Sequence, residues 1–315
     1  MGVESKENRR SSSLIQKAIS FCFLVIFAIY CYLRLFYRFI VPRSLKPLNG
    51  EIFLITGSSS GIGKAVALHL AKHHPETKLV LWDQNLRLNL QTAFEARKLG
   101  AIVHAYEVDV TDRKKVRETA LKVQSEVGNV TILYNNAGIA QGTQFFTCPE
   151  QELEKTIQVN LISHFWTLRA FLPSMIANNH GHIVTTASLG SFFGHKSCVP
   201  YFAAKFAIRG YVESLQDELN SMPDVPDQVY FTTVYPGFTE TPMTAKSQTA
   251  VGLGKKTYLK ANYVAEKIVE GIRQNRQGVV IPRSAEVAIF MKGLMPEKLF
   301  WEIRRYLVSN QRKAQ

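Results

Sequence analysis

The chain has 315 residues, 46% of them hydrophobic, four cysteines, and 38 Lys/Arg against 25 Asp/Glu for a net charge of +13. This composition excludes a mostly disordered chain, and four cysteines without a C-x-x-C pair exclude a disulfide scaffold and a cysteine-held zinc site. The charge sits at the ends, +6 on residues 1–50 and +4 on 291–315 against +3 on 51–290; this suits anionic membrane surface, and nucleic acid is not expected as a partner.

Residues 1–17 read as a basic tail. Met1-Gly2 lacks the myristoylation pattern, because Lys6 stands where Ser or Thr is required. Ala18–Leu33 is an uncharged apolar run, about 24 Å long as a helix against a hydrocarbon core of about 30 Å. Apolar character resumes after Arg34. Arg34 and Arg38 are placed to snorkel, and Tyr30, Tyr32 and Tyr37 suit an interfacial belt. No small-residue cleavage site follows, so residues 18–41 are expected as a retained membrane anchor, either spanning or lying in one leaflet. Cations flank both sides and leave its orientation open. Residues 42–50, with Pro42 and Pro47, form a linker.

From residue 51 short apolar runs alternate with amphipathic stretches. Ile52–Thr56, Lys78–Trp82, Ile102–Val108, Thr131–Tyr134, His182–Thr186, Val229–Val234 and Gly278–Ile281 read as strands. Residues 61–74, 85–98, 112–126, 151–178, 200–221 and 262–275 read as helices. The expected fold class is α/β: one Rossmann-type doubly wound parallel sheet of about seven strands, over residues 51–284. Residues 285–315 mix aromatic and aliphatic residues with Lys292, Lys298, Arg304 and Arg305. They suit a basic amphipathic segment at a membrane surface, a helix covering a pocket, or both.

Between the first strand and the first helix lies Thr56-Gly57-Ser58-Ser59-Ser60-Gly61-Ile62-Gly63. Glycines there permit a tight turn and let backbone amides approach a pyrophosphate at the helix N-terminus. Asp83 closes the second strand, where a carboxylate accepts hydrogen bonds from an adenosine ribose and repels a 2′-phosphate. With serines instead of Arg or Lys in the loop, the expected cofactor is NAD rather than NADP, with Arg87 as the opposing signal. The eight histidines make no ligand pattern, and no metal is expected. Asn129-Val130-Thr131 is a glycosylation sequon that stays silent if the domain is cytosolic.

Further motifs follow in order: Asn135-Asn136-Ala137-Gly138, Asn160, Ser188, Tyr201-Phe202-Ala203-Ala204-Lys205 and Pro236-Gly237. Together with the glycine loop they resemble the classical short-chain dehydrogenases/reductases over about residues 50–285. Local stretches such as LVLWD, GNVTILYNNAG and NHGHIV resemble the membrane-anchored branch that holds 17-beta-hydroxysteroid dehydrogenase types 11 and 13, retinol dehydrogenase 10 and the epidermal retinol dehydrogenases.

The spacing makes chemical sense. Oxidising an alcohol needs a base for the hydroxyl proton. Tyr201 and Lys205, at i and i+4, share a helix face, and a neighbouring cation favours the phenolate. Ser188 can bond the substrate oxygen and hold it near Tyr201. The resemblance implies that Asn160 positions a water connecting Lys205 to solvent. It further implies cofactor contacts at Gly57, Ser59, Ser60, Gly61, Ile62, Gly63, Asp83, Asp109, Val110, Asn136, Ala137, Gly138, Tyr201, Lys205, Pro236, Gly237 and Thr239. Phe145, Phe146, Phe192, Phe193 and Phe238 are expected to wall an apolar substrate pocket.

The resemblance implies an oxidoreductase acting with NAD on a lipophilic alcohol or carbonyl such as a retinol or hydroxysteroid. It implies a homodimer through 151–178 and 200–221, at endoplasmic reticulum membrane or lipid droplet, with the catalytic domain cytosolic. An NADPH-dependent lipid aldehyde or ketone reductase and a non-enzymatic membrane scaffold are the alternatives. The chain departs from the branch most at 141–148, 189–199 and 238–260, which leaves the substrate open.

Overall fold

The computed structural model describes residues 4–41, 44–195, 198–222, 228–245 and 258–313, without the side chains of 4–15, 35, 36, 38–40 and 307–313. Pro42 and Arg43 of the linker, the Arg38 side chain, and residues 196–197 and 246–257 of the pocket loops lie outside the described residues. The chain divides into two compact units, Met1–Leu45 and Lys46–Gln315.

The first unit is helix α1 (Glu4–Ile40). Its segment Gln16–Arg34 has 19 residues and a mean hydropathy of 1.8, long and apolar enough to cross a membrane. None of that segment is buried within the protein. Phe21, Phe23, Ile26 and Leu33 are each more than 60% exposed.

In the second unit, β1 (Ile52–Thr56), β2 (Lys78–Asp83), β3 (Ile102–Glu107), β4 (Ile132–Asn135), β5 (Gly181–Thr186), β6 (Val229–Pro236) and β7 (Gly278–Ile281) form one sheet. Its order is β3-β2-β1-β4-β5-β6-β7, and every pairing is parallel. Helices α2 (Gly61–His73), α3 (Leu86–Lys98) and α8 (Ala261–Arg273) cover one face; α4 (Arg113–Glu126), α6 (Ser163–Ala177) and α7 (Val199–Ser221) cover the other. Alternation along β1 divides the core. Phe53 and Ile55 join Val66, Leu70 and Ile268 on the first face, whereas Leu54 joins Trp82, Phe171 and Ile183 on the second. The strand order reverses between β1 and β4, and the crevice outside the strand ends there is where this architecture seats ligands.

The expected helix over 151–178 is corrected in its middle. The chain forms α5 (Glu150–Ile157), a π-helical turn at Gln158–Ile162 and then α6. The cause is Asn160. Its amide nitrogen donates to the carbonyls of Thr156 and Ile139, both at 2.8 Å, and its oxygen accepts from the Ile139 amide at 3.3 Å. Tying one helical turn to the strand-end segment after β4 widens that turn. The chain ends in α9 (Ala285–Leu294) and α10 (Glu297–Lys313). Helix α9 buries no residue, and Val287, Phe290 and Leu294 are each at least 66% exposed.

Candidate active site

A cavity of about 650 Å³ runs along the carboxyl ends of the strands. One end is built by the turn after β1. Gly57 and Gly61 hold φ of +67° and +56°, the left-handed region that glycine tolerates. At Gly63 the constraint is space, because a methyl group would lie 2.2 Å from the Gly57 carbonyl oxygen and 2.7 Å from Asn136 Nδ2. The turn is packed this closely against its own backbone and against Asn136. Gly63→Ala is therefore expected to weaken cofactor binding at least tenfold and to destabilise the fold by roughly 1–3 kcal/mol. Calorimetric titration and thermal melts with and without cofactor check both effects.

Asp83, at the end of β2, accepts from the Ser59 amide at 3.0 Å with one oxygen and from the Asn85 amide at 2.8 Å with the other. It thus braces the glycine loop while its carboxylate lines the cavity. Ser58 faces away: its hydroxyl is buried against the Trp82 carbonyl and Asn89. Asn136 Nδ2 donates to the Thr56 and Gly57 carbonyls at 3.0 and 3.3 Å, and its oxygen accepts from Thr186 at 3.3 Å. It staples the ends of β1, β4 and β5. Asp109 is exposed and bonded to Thr111, Val110 is buried, and the Thr239 hydroxyl donates to the Gly237 carbonyl.

The other end is built by β5 and α7. Ser188 caps the short turn Leu189–Ser191 by accepting from the Gly190 amide at 3.0 Å. Tyr201 and Lys205 lie one turn apart on α7. Burial pushes the Tyr201 phenol up, while a hydrogen bond with Ser188 pulls it down. Lys205, 3% exposed, donates to the Thr186 carbonyl at 2.7 Å, and its ammonium lies 5.7 Å from the Tyr201 ring centre. Desolvation lowers it to about 7. At Gly138 a methyl group would meet Asn160 Oδ1 at 2.8 Å and Lys205 Nζ at 3.8 Å. Asn160 therefore sits behind the wall that Gly138 forms.

Every catalytic or cofactor-contact residue implied by the resemblance lines this one cavity except Gly63 and Asn160, which support it from behind. The phenylalanine expectation holds for two of five. Phe193 and Phe238 line the cavity, whereas Phe146 is 96% exposed, Phe145 is half-exposed, and Phe192 packs on Tyr235 and Arg209. The 3₁₀ turn at Phe145–Thr147 turns both of its rings outward.

Other residues were not legible from the motifs. The Thr186 carbonyl anchors Lys205. Lys155, His195, Cys198 and Arg304 line the cavity. Cys198 Sγ donates to the Gln141 carbonyl at 3.1 Å, and burial pushes the thiol up, so it is held as a thiol rather than a nucleophile. Arg304 comes from α10 and donates to the Gly194 carbonyl, and Lys292 of α9 donates to the Phe192 carbonyl. The mixture of cations and aromatics at 285–308 was the only sequence signal for these contacts. Among the described residues no cluster of His, Cys, Asp and Glu could hold a metal ion.

The profile of the short chain dehydrogenase family matches residues 51–252. Human estradiol 17-beta-dehydrogenase 11 is 36% identical over 277 residues, covering 88% of this chain and 90% of that protein. Human epidermal retinol dehydrogenase 2 is 39% identical over 269 residues, covering 85% of each. A solved short chain dehydrogenase/reductase from Burkholderia phymatum, in complex with NAD, superposes with a TM-score of 0.69 at 26% identity, covering 77% of this chain and 92% of that one.

Proposed function

This chain belongs to the short-chain dehydrogenase family of nicotinamide-dependent alcohol dehydrogenases and reductases, and on that premise we propose that it is a membrane-anchored enzyme using NAD to interconvert a lipophilic alcohol and its carbonyl. The observation that carries this reading is a single cavity whose wall holds both the glycine cradle with Asp83 and the group Ser188, Tyr201 and Lys205.

The cradle fits a dinucleotide. Gly57, Ser59, Ser60, Gly61 and Ile62 would hold the pyrophosphate, Asp83 the adenosine ribose, Asp109 and Val110 the adenine, and Pro236, Gly237 and Thr239 the nicotinamide side. When bound, the nicotinamide supplies hydride acceptance and donation. The chain's own residues handle the proton. Ser188 donates to the substrate oxygen and orients it. Tyr201 takes the hydroxyl proton in oxidation and returns it in reduction. Lys205, fixed on the Thr186 carbonyl, stabilises the phenolate. Asn160 holds the π turn and the segment after β4 in place behind Lys205.

Asp83 supports NAD over NADP by repelling a 2′-phosphate. Asp83→Ala is expected to raise KM for NAD about tenfold and lower it for NADP, shrinking the NAD preference by one to two orders of magnitude. Steady-state kinetics with both cofactors check this, and a wild-type preference for NADP would overturn the assignment.

The substrate end is apolar, walled by Leu189, Phe193, Phe238, Met243 and Leu259. That wall, with relatives named for estradiol and retinol, supports a steroid, retinoid or long-chain alcohol. Residues 18–41 are read as the anchor, 42–50 as the tether, 51–284 as the catalytic domain and 285–315 as a segment that both touches the membrane and braces the substrate loop. The exposed apolar residues of α9 and the bonds from Lys292 and Arg304 to that loop support this double role. We place the enzyme at endoplasmic reticulum or lipid droplets, its domain cytosolic, as a dimer through α5–α6 and α7.

The test is turnover in membranes carrying the full-length chain. NAD and NADP are compared on retinol, hydroxysteroids and long-chain alcohols, with Tyr201→Phe as the blank. Tyr201-dependent oxidation with NAD supports the reading; membrane function preserved in Tyr201→Phe would favour a scaffold.

A further inference from the structure

Behind the active site, between the sheet and helices α6 and α7, lies a buried imidazole that takes no part in the proton transfer. His164, in the first turn of α6, is 2% exposed. Its Nδ1 lies 3.0 Å from the Tyr211 hydroxyl on α7, and that hydroxyl lies 3.2 Å from Thr185 Oγ1 on β5. One chain of side chains thus joins α6, α7 and β5. The Tyr211 ring stands edge-on to the rings of His164 and Phe165, at 5.9 and 5.3 Å between centres, which fixes the direction of its hydroxyl.

The chain ends beside the residue that anchors Lys205. Thr185 precedes Thr186, whose carbonyl accepts from Lys205 Nζ at 2.7 Å. Lys205 and Tyr211 belong to one helix, so α7 is pinned to the end of β5 at two consecutive residues, once by the ammonium and once by the phenol. The two pins differ in stiffness. An ammonium on a four-carbon stem has three rotatable donors, whereas a tyrosine ring has two torsions. The phenol, buttressed by His164 from α6, is the stiffer pin and sets where the lysine stem starts.

Neutrality of the imidazole belongs to the arrangement. His164 Nε2 is buried and has no hydrogen-bond partner among the described residues. Protonation would add an unpaired N–H and a second positive charge near Lys205, and burial together with that lysine holds the ring down to about 3. Lys205 is the one charge that bears on His164, and no carboxylate bears on either group. The other titratable groups around the pair are Tyr201, Tyr211 and Cys198 from α7 and its cap, and Tyr134 of β4, which bonds the Thr186 hydroxyl at 2.8 Å. Burial pushes all four up. From β5 and the π turn the neighbours are Thr185, Thr186 and Asn160, which do not titrate.

We propose that His164 is a positioning residue of the active site: through Tyr211 and Thr185 it fixes α7 against the end of β5 and so holds the Lys205 ammonium where it stabilises the Tyr201 phenolate. The proposal rests on the roles given above to Lys205 and Tyr201 and extends them one layer into the core.

The test reads Tyr201 directly and needs no substrate. Phenolate absorbance of the full-length chain in phosphatidylcholine nanodiscs is titrated with pH. Each protein is paired with its own Tyr201→Phe form, and the difference isolates Tyr201 among 12 tyrosines. His164→Phe keeps a ring of similar shape and removes both nitrogens, and Tyr211→Phe removes the other end of the bond. Each is expected to raise the Tyr201 midpoint by about half a pH unit or more, and the double variant by no more than the larger single shift, because both changes break one chain. His164→Asn, whose amide reaches the position of Nδ1, should restore most of the wild-type midpoint. The pH limb of Tyr201-dependent oxidation should move upward with it. Midpoints unchanged in both phenylalanine variants, shifts that add in the double variant, or equal shifts in His164→Asn and His164→Phe would overturn the proposal, and a lowered melting temperature alone would then mark His164 as core packing. Shifted midpoints in a chain without Tyr201-dependent turnover would support this coupling while removing the proposed activity. A wild-type midpoint no lower than that of Lys205→Met would overturn both.

Discussion

Replacing Tyr201 by Phe should lower turnover by about 10³-fold or more while leaving cofactor affinity within about threefold. The substitution removes only the phenolic oxygen. The ring keeps its edge-on contact with Phe202, at 5.5 Å between centres, and its place 5.7 Å from the Lys205 ammonium. What disappears is the oxygen that bonds Ser188 and to which we assign the exchange of the substrate proton. A positioned acid or base contributes typically 10²–10⁴-fold. The loss should be near the upper end, because a bare water in an apolar cavity is a poor substitute for an oriented phenolate. Ser188→Ala should cost less than Tyr201→Phe, since Ser188 orients and polarises without carrying the proton. The split is read from kcat and KM in membranes, with cofactor affinity measured separately by titration. An unchanged rate in Tyr201→Phe would remove the proton-transfer role.

The reach of sequence reasoning followed the range of the interactions. Strand positions were legible to within about two residues, because each is a short run bounded by polar turns, and the central strands β1, β4 and β5 are buried on both faces. The glycine loop, Asp83 and the Tyr201–Lys205 pair were legible because their geometry is set over a few residues of one turn or one helix. The π turn at 158–162 was not, since it depends on Asn160 bonding to Ile139, a segment 21 residues earlier. The resemblance singles out Asn160 as a site residue, but its part in opening this turn has no local signal, because the spacing alone places it on a continuous helix. Phe145 and Phe146 misled because apolar loop residues near a site resemble pocket lining, and only backbone direction tells which way they face. The Thr186 carbonyl as the Lys205 anchor, and Arg304 reaching the cavity from a helix over 100 residues away, have no local signature at all.

Lys205 yields the second large effect, and it separates function from stability. Burial lowers this ammonium to about 7 from an ordinary value near 10.5. Tyr201 is pushed up by the same burial, so the two titrate as a pair. As pH rises through about 7 the pair loses one proton. The remaining proton can sit on the lysine with the tyrosine as phenolate, which is the state that accepts a proton from an alcohol. Oxidation should therefore increase with pH through about 7 and level off, while reduction, which needs the protonated pair, should fall over the same range. Lys205→Met should cut oxidation by roughly 10²–10³-fold and shift the remaining pH limb upward toward the tyrosine alone. For stability the sign is opposite. A base whose folded value lies below its unfolded value penalises the folded state fully below about pH 7, and that penalty is relieved as pH rises from about 7 to about 10.5. The shift corresponds to roughly 5 kcal/mol. Methionine removes the penalty and leaves the Thr186 carbonyl without its donor, which costs about 1–3 kcal/mol. The inactive variant should therefore melt higher than wild type at pH 6, with the difference shrinking toward pH 10. Melting curves across that range check it. A variant less stable at every pH, or a pH–rate limb that stays at 7 without the lysine, would show that this buried cation neither strains the fold nor sets the proton balance of the site.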